Sequence, residues 1–281
     1  MSLRAMDVWT RAVGEGMHEP TEKRLRVEHG GSVIAETAQG RLVWEPRRIV
    51  PSYAVPVADL AGGLVPEPAT GADERALRPV LTPGTPFSVH TSPGESLTVR
   101  LADGSELPGA AFRPDDPALA GYVVLDFFSF DRWYEEDEPI VGHPRDPFSR
   151  IDLRRSSRSV EVAVGGETLA SSDRPLLLFE TGLPLRFYLP PDDVRLDLLR
   201  PTTTRSTCAY KGHASYLSYD GPAGAVEDIA WTYPEPLPDV APIAGMVAFF
   251  DERADVVVDG VLRGRPRTEW SEGPVTGPEQ V

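Results

Sequence analysis

The chain has 281 residues, of which 41% are hydrophobic and 25% are charged, and its formal net charge is −15 at pH 7. This length suits two domains of about 100 to 150 residues each. The acidic balance predicts no nucleic-acid partner, because binding to phosphates needs a basic face. There is no run of about 18 apolar residues, so no membrane partner is predicted. Residues 1–20 lack the pattern of a secretory signal, and a cytoplasmic protein is expected.

The chain contains one cysteine, Cys208, and five histidines. One cysteine excludes an intrachain disulfide, and a closed tetrahedral zinc site needs several thiolate or imidazole ligands at short spacing. The histidines are scattered along the chain. We therefore expect no structural zinc, no other metal site and no cofactor.

Alternating apolar residues followed by glycine pairs predict β-hairpins at two places. Residues 25–29 alternate before Gly30–Gly31, and residues 160–164 alternate before Gly165–Gly166. This pattern is typical of a strand that ends in a two-residue turn.

The two hairpins are 135 residues apart (Gly30 to Gly165), and the same offset continues without a gap to the end of the next strand pair. It matches Glu45 with Glu180 and Tyr53 with Tyr188. This regularity predicts an internal duplication in which each matched pair superposes.

Further short strands are predicted at 97–101, 122–125, 246–249 and 256–258, while 29 prolines and 25 glycines interrupt any long helix. The predicted fold is all-β, with an N-terminal arm, two β-rich repeats that pair within the chain, and an acidic tail rich in proline and glycine. We expect Trp9 to dock the arm, and the oligomeric state is left open. The predicted bounds are 1–21 for the arm, 22–147 and 148–263 for the repeats, and 264–281 for the tail.

Lys211 is the residue that points most directly to a site. Only two of the 28 basic residues are lysines, Lys23 and Lys211. A position that keeps lysine against this bias favours a compact ammonium over a guanidinium. Lys211 is therefore a candidate for holding an anion, and Cys208 is a candidate nucleophile whose pKa a nearby cation would lower. The alternatives are a structural lysine paired with Glu180 or Asp193, and a cysteine that packs as a small hydrophobe.

The backbone at Gly212 decides whether these side chains meet. On a regular strand Cys208 and Tyr210 would face one side, and Lys211 and His213 would face the other. All four converge only if Gly212 marks a bulge or a turn.

Five segments of the second repeat carry a family resemblance: Leu178–Pro184, Arg186–Pro190, Cys208–Gly212, Asp228–Pro234 and Ile243–Gly245. They resemble a bacterial family catalogued as domain of unknown function 427 and sometimes labelled nucleotidyltransferase-like. Its motif Cys-Pro-Tyr-Lys-Gly corresponds to Cys208–Gly212, with Ala209 in place of the proline. The resemblance covers roughly 22–263 and implies two tandem β-tent-like (Mss4-like) antiparallel sheet domains.

The first repeat departs from the family pattern at the lysine motif. Its counterpart lies near Pro86–His90 and has neither cysteine nor lysine. Its counterpart of Trp231–Pro234 is shortened to about Phe112–Pro114. A single site is therefore expected, in the second repeat.

The leading hypothesis is a small-molecule-binding domain for an anionic ligand, with an enzymatic role left open. The first alternative is a non-catalytic interaction or scaffold protein in which the lysine motif pins two sheets together. The second is a nucleotidyltransferase-like enzyme, which would need carboxylates that converge on Mg²⁺. The adjacent pairs Asp192–Asp193 and Glu227–Asp228 would point apart on a strand. Lys211 and Cys208 are the candidate catalytic residues, and the candidate ligand-binding residues are Glu180, Arg186, Tyr188, Asp193, Tyr210, Gly212, His213, Tyr216, Trp231 and Tyr233.

The environment of Lys211 separates the first two hypotheses. A partly exposed ammonium in a concave aromatic pocket favours ligand binding, whereas an ammonium whose protons are all bound favours the scaffold. Replacing Lys211 with alanine is expected to lower the free energy of unfolding by no more than about 1 kcal/mol, as for a residue outside a packed core.

Overall fold

The computed structural model describes residues 14–68, 80–222 and 224–271. The chain divides into two compact units, Met1–Asp146 and Pro147–Val281. Within the described residues the structure is almost entirely β, and its helical segments are 3-10 turns of three to six residues. The prediction of an all-β chain with two tandem sheet domains is confirmed. Trp9, most of the predicted arm and the end of the tail lie outside the described residues.

The first unit contains eleven described strands and three short 3-10 turns. The strands are β1 (Met17–Pro20), β2 (Leu25–His29), β3 (Ser32–Thr37), β4 (Arg41–Trp44), β5 (Ser52–Pro56), β6 (Gly63–Pro66), β7 (Gly94–Arg100), β8 (Glu106–Pro114), β9 (Tyr122–Leu125), β10 (Arg132–Glu135) and β11 (Glu138–Ile140). The turns are Val57–Asp59, Pro117–Leu119 and Phe127–Ser129.

The second unit contains eleven described strands and four 3-10 turns. The strands are β12 (Ile151–Arg155), β13 (Val160–Val164), β14 (Glu167–Ser172), β15 (Leu176–Glu180), β16 (Arg186–Leu189), β17 (Leu199–Cys208), β18 (Gly212–Gly221), β19 (Gly224–Thr232), β20 (Val247–Phe249), β21 (Asp255–Val258) and β22 (Val261–Leu262). The turns are Pro191–Asp193, Leu196–Leu198, Pro238–Ile243 and Glu269–Ser271.

The two units have the same topology. The seven-stranded sheet follows the order β1-β4-β5-β9-β8-β7-β6 in the first unit and β12-β15-β16-β20-β19-β18-β17 in the second. The four-stranded sheets follow β11-β10-β2-β3 and β22-β21-β13-β14. Each strand of the first unit thus has its counterpart eleven strands later, which supports the duplication predicted from the sequence.

The predicted glycine hairpins are present in both units. Gly30 and Gly31 have φ of 58° and 77°, and Gly165 and Gly166 have φ of 57° and 87°. Positive φ at both turn residues is the geometry that favours glycine and matches the twist of the flanking strands. The β2–β3 and β13–β14 hairpins also carry a register shift at equivalent places.

One matched pair from the sequence is wrong by one position. Leu42 pairs with Tyr53, whereas its counterpart Leu177 pairs with Phe187 and not with Tyr188. The connection between these strands is one residue shorter in the second unit, so the 135-residue offset becomes 134 after it. A one-residue shift moves a side chain to the opposite face of a strand. Tyr53 and Phe187 therefore lie in the equivalent core clusters, and Tyr188 lies on the other face.

Each unit buries one core between its two sheets and a second cluster on the other face of the large sheet. The core between the sheets is similar in size in the two units. The second cluster is small in the first unit, where it centres on Phe112. It is much larger in the second unit, where aromatic residues from β16, β18 and β19 meet Phe250 and Trp270.

Two segments that were predicted to lie outside the repeats pack against the two units. Met17–Pro20 falls within the predicted arm, yet it pairs with β4 as an edge strand. Trp270 falls within the predicted tail, yet it is buried in the second unit.

Candidate functional site

The hairpin between β17 and β18 places the lysine motif. Cys208 pairs with Gly212, and the three residues between them form a turn. Gly212 has a φ of 95°, a conformation that residues with a side chain rarely adopt. The turn brings both Cys208 and Lys211 into the interior, while His213 is exposed and contacts Thr207. A turn at Gly212 was the predicted condition for these side chains to converge. The turn is present, and it places Cys208 and Lys211 in the interior but leaves His213 outside.

Lys211 is an interior residue, with only 1% of its surface exposed. Its ammonium lies 2.6 Å from the Glu180 carboxylate, which is its hydrogen-bond partner among the described residues. Burial lowers the pKa of Lys211, but the acidic groups of Cys208 and Glu180 raise it by more, so the pKa lies above its ordinary value. The ammonium is therefore charged and buried. It pairs with Glu180, one of the two carboxylates that the sequence offered for a structural lysine.

Three tyrosine side chains form a buried polar layer beside the lysine. The Tyr188 hydroxyl accepts a hydrogen bond of 3.0 Å from the Trp231 indole, and Tyr216 shares one of 2.6 Å with Ser206. Tyr233 is fully buried, and its hydroxyl has no hydrogen-bond partner among the described residues. Burial raises the pKa of all three phenols. They are therefore neutral groups that can donate a proton in a hydrogen bond, and the described residues offer Tyr233 no acceptor.

Arg186 is already occupied by acidic partners. Its guanidinium makes hydrogen bonds of 2.7 and 2.8 Å to Glu252 and lies 3.3 Å from Asp251. It also lies over the rings of Trp231 and Trp270, at 5.4 and 5.5 Å from their centroids. The sequence predicted that Arg186 binds a ligand anion, but in the structure its guanidinium is paired with the carboxylates of Asp251 and Glu252.

A small cavity lies beside Lys211, at the end of β15 and the start of β16. Its volume is about 10 Å³, which is room for one water molecule. Most of its lining is apolar, with the polar groups of Glu180, Arg186, Tyr188 and Lys211 set into it; the other lining residues are Leu178, Leu183, Trp231, Phe250 and Trp270. Cys208, Tyr210, Tyr216 and Tyr233 do not line it.

Sequence reasoning missed four residues of this region: Phe250, Asp251, Glu252 and Trp270. The first three directly follow the apolar strand β20, and the two adjacent carboxylates Asp251 and Glu252 next to a buried strand are a signal that could have been followed. Trp270 is a lone aromatic residue in a polar segment, which is the only sequence sign that the segment docks.

Other predicted site residues lie elsewhere. Asp193 binds Ser172 at 2.7 Å and Arg174 at 2.9 Å, away from the cavity. Asp228 is buried and accepts hydrogen bonds from two threonines of β17, and Glu227 accepts one from Ser218. Within the described ranges, no three His, Cys, Asp or Glu side chains cluster as a metal ion would require.

The first unit keeps the glutamate of this site and has a different residue at the other equivalent positions. Glu45 takes the place of Glu180 and lies 2.8 Å from the His90 imidazole, in the loop that corresponds to the lysine motif. The strand registers place Ala54 at the position of Tyr188, Phe112 at that of Trp231 and Ser96 at that of Tyr216. Pro114 stands where the second unit has Tyr233.

The fold and the site define a class: an all-β protein of two tandem units, with a buried polar cluster in the second. Residues 152–260 match the model of a family described as a domain of unknown function (DUF427). The matched residues lie within the second unit, which is therefore similar to this family. No curated protein sequence matches the chain. In the part that the structure describes, no helix has the length and apolar character needed to cross a membrane.

Proposed function

We propose that the second unit is a small-molecule-binding domain whose site is the cavity around Lys211 and Glu180. The first unit is a structural copy without this site. One observation carries the proposal: the first unit builds the same topology with Ala54, Ser96 and Phe112 where the second has polar aromatic residues. Buried polar groups cost free energy unless they are fully paired. The fold does not require this cluster, so its retention indicates a use other than folding.

The chemistry of the cavity favours a ligand with an oxygen acceptor. Lys211 has three N–H donors and one described acceptor. Trp231, Phe250 and Trp270 supply apolar surface on which the rest of a ligand can pack. Cys208 does not line the cavity, which favours reversible binding over a covalent reaction at the thiol.

A thermal-shift screen against nucleotides, sugar phosphates and acyl acids tests this function. A compound that binds the native state raises the unfolding midpoint. Lys211→Arg should abolish the shift, because the planar guanidinium does not fit the space of a compact ammonium. Lys23→Arg, in the first unit, is the matched control and should leave the shift unchanged. A panel with no hit, or a hit that Lys211→Arg binds as well as wild type, contradicts the proposal.

The scaffold alternative has its own supporting observation. Lys211 and Arg186 are both buried and both paired with carboxylates, as ions that hold strands together would be. In that case Lys211→Arg changes the midpoint without ligand, and no panel compound shifts it further.

A further inference from the structure

The two equivalent glutamates are held very differently. Glu45 accepts a hydrogen bond of 2.8 Å from the Thr91 amide, contacts the Thr91 hydroxyl at 3.4 Å and faces His90. Among the described residues, the Glu180 carboxylate has one hydrogen bond, from Lys211, and 13% of its side chain is exposed at the strand end. Glu45 is therefore fixed on several sides, whereas Glu180 can turn to solvent by giving up one contact.

The size of the cavity makes this difference relevant to binding. With Glu180 in place, the cavity of about 10 Å³ has room for one water molecule beside Lys211. A ligand group that reaches Lys211 must first displace a group already there. Arg186 is held by three hydrogen bonds and the rings are packed, so Glu180 is the group that costs least to move.

We propose that Glu180 is an internal substitute for the ligand, and that the ligand is a small apolar carboxylic acid whose carboxylate replaces that of Glu180 on Lys211. This inference rests on the proposed function. The space that Glu180 vacates fits one carboxylate, and it faces the positive charge of Lys211. The remaining lining is Leu178, Leu183, Phe250 and two tryptophans, and the apolar body of the acid would pack against it where the cavity opens beside Glu180. Exchange of one carboxylate for another keeps the buried ammonium paired throughout, which avoids the cost of an unpaired buried charge.

Calorimetric titration with benzoate and phenylacetate tests the exchange, with benzamide as the neutral control. Glu180→Gln removes the competing charge and should tighten carboxylate binding about tenfold or more, equivalent to about 1.4 kcal/mol. Glu45→Gln is the matched variant in the first unit and should leave the affinity unchanged. Benzamide, which carries no charge, should bind neither wild type nor Glu180→Gln. Because Glu180→Gln leaves Lys211 unpaired, Glu180→Asp, which withdraws the carboxylate by one methylene, serves as a second variant and should also tighten binding.

The outcomes separate this inference from the function on which it rests. Equal carboxylate affinity in wild type and both Glu180 variants overturns the exchange, while a different panel ligand that depends on Lys211 would leave the binding function standing. A Glu180→Gln protein that folds only with benzoate present supports the exchange. No binding of either acid to wild type, Glu180→Gln or Glu180→Asp overturns it.

Discussion

The two units differ in the side chains on one face of the large sheet. Both have the same strand order and a core of similar size between their sheets. On the other face, the first unit places Ala54 and Phe112 where the second places Tyr188 and Trp231. The difference teaches that the core between the sheets is sufficient for the topology. The other face can vary: in the second unit it carries the Lys211–Glu180 ion pair and the tyrosine hydroxyls, whereas the first unit keeps only the glutamate, Glu45, beside His90.

The largest expected effect is the loss of Lys211. Its burial overturns the expectation of a small stability cost, because Lys211→Met leaves the Glu180 carboxylate without its partner. Breaking a buried ion pair costs about 3 to 5 kcal/mol, and we expect the lower end of this range because Glu180 can turn towards solvent. The matched change His90→Leu should cost only about 1 kcal/mol, since Glu45 keeps the Thr91 donors. Urea denaturation followed by tryptophan fluorescence measures both values, and equal costs would mean that the two units use these positions alike.

The acidic pair around Arg186 should show opposite dependences on pH. Burial raises the pKa of Glu252, but hydrogen bonds from Arg186 lower it by more, so its ionised form stabilises the fold. That contribution is present above the ordinary glutamate pKa and is lost as the pH falls below it. Glu252→Gln should therefore cost about 3 kcal/mol at neutral pH, because Arg186 loses its closest partner, and less in acid.

Asp251 has the opposite sign. Burial raises the pKa of Asp251 despite Arg186, so its ionisation opposes folding as the pH rises above the ordinary aspartate pKa. Asp251→Asn should remove that loss and raise the unfolding midpoint relative to wild type at neutral pH. Unfolding midpoints from pH 3 to pH 8 test both variants. A neutral-pH loss in Asp251→Asn as large as that in Glu252→Gln would contradict the assignment.

The smallest effects should come from two hydroxyls. Tyr188→Phe removes the acceptor of the Trp231 indole and should cost about 1 to 2 kcal/mol. Tyr233→Phe removes a buried hydroxyl that has no partner among the described residues, so stability should be unchanged or rise by about 1 kcal/mol. Thermal unfolding of the two variants side by side provides the measurement. A cost for Tyr233→Phe as large as that for Tyr188→Phe would show that its hydroxyl is bonded.

Local signals explain what the sequence predicted well. The glycine pairs, the strands and the duplication follow from patterns within short windows. The match of Tyr53 with Tyr188 was wrong because one residue is missing from a connection, and two tyrosines at the same offset conceal it. The pairing of Arg186 with Glu252 joins residues far apart in the chain, which no local pattern specifies. Glu180 and Asp193 were equal candidates for Lys211 in sequence, and only the fold separates them.

The most direct test of the account replaces the ion pair as a whole. Lys211→Met combined with Glu180→Leu exchanges two buried charges for apolar groups. We expect the free energy of unfolding to stay within about 1 kcal/mol of wild type, since apolar replacement of a buried pair is often neutral. We expect every ligand-induced thermal shift seen in wild type to disappear. A double variant that unfolds, or one that still binds the compounds that wild type binds, would contradict the claim that this pair serves binding and not the fold.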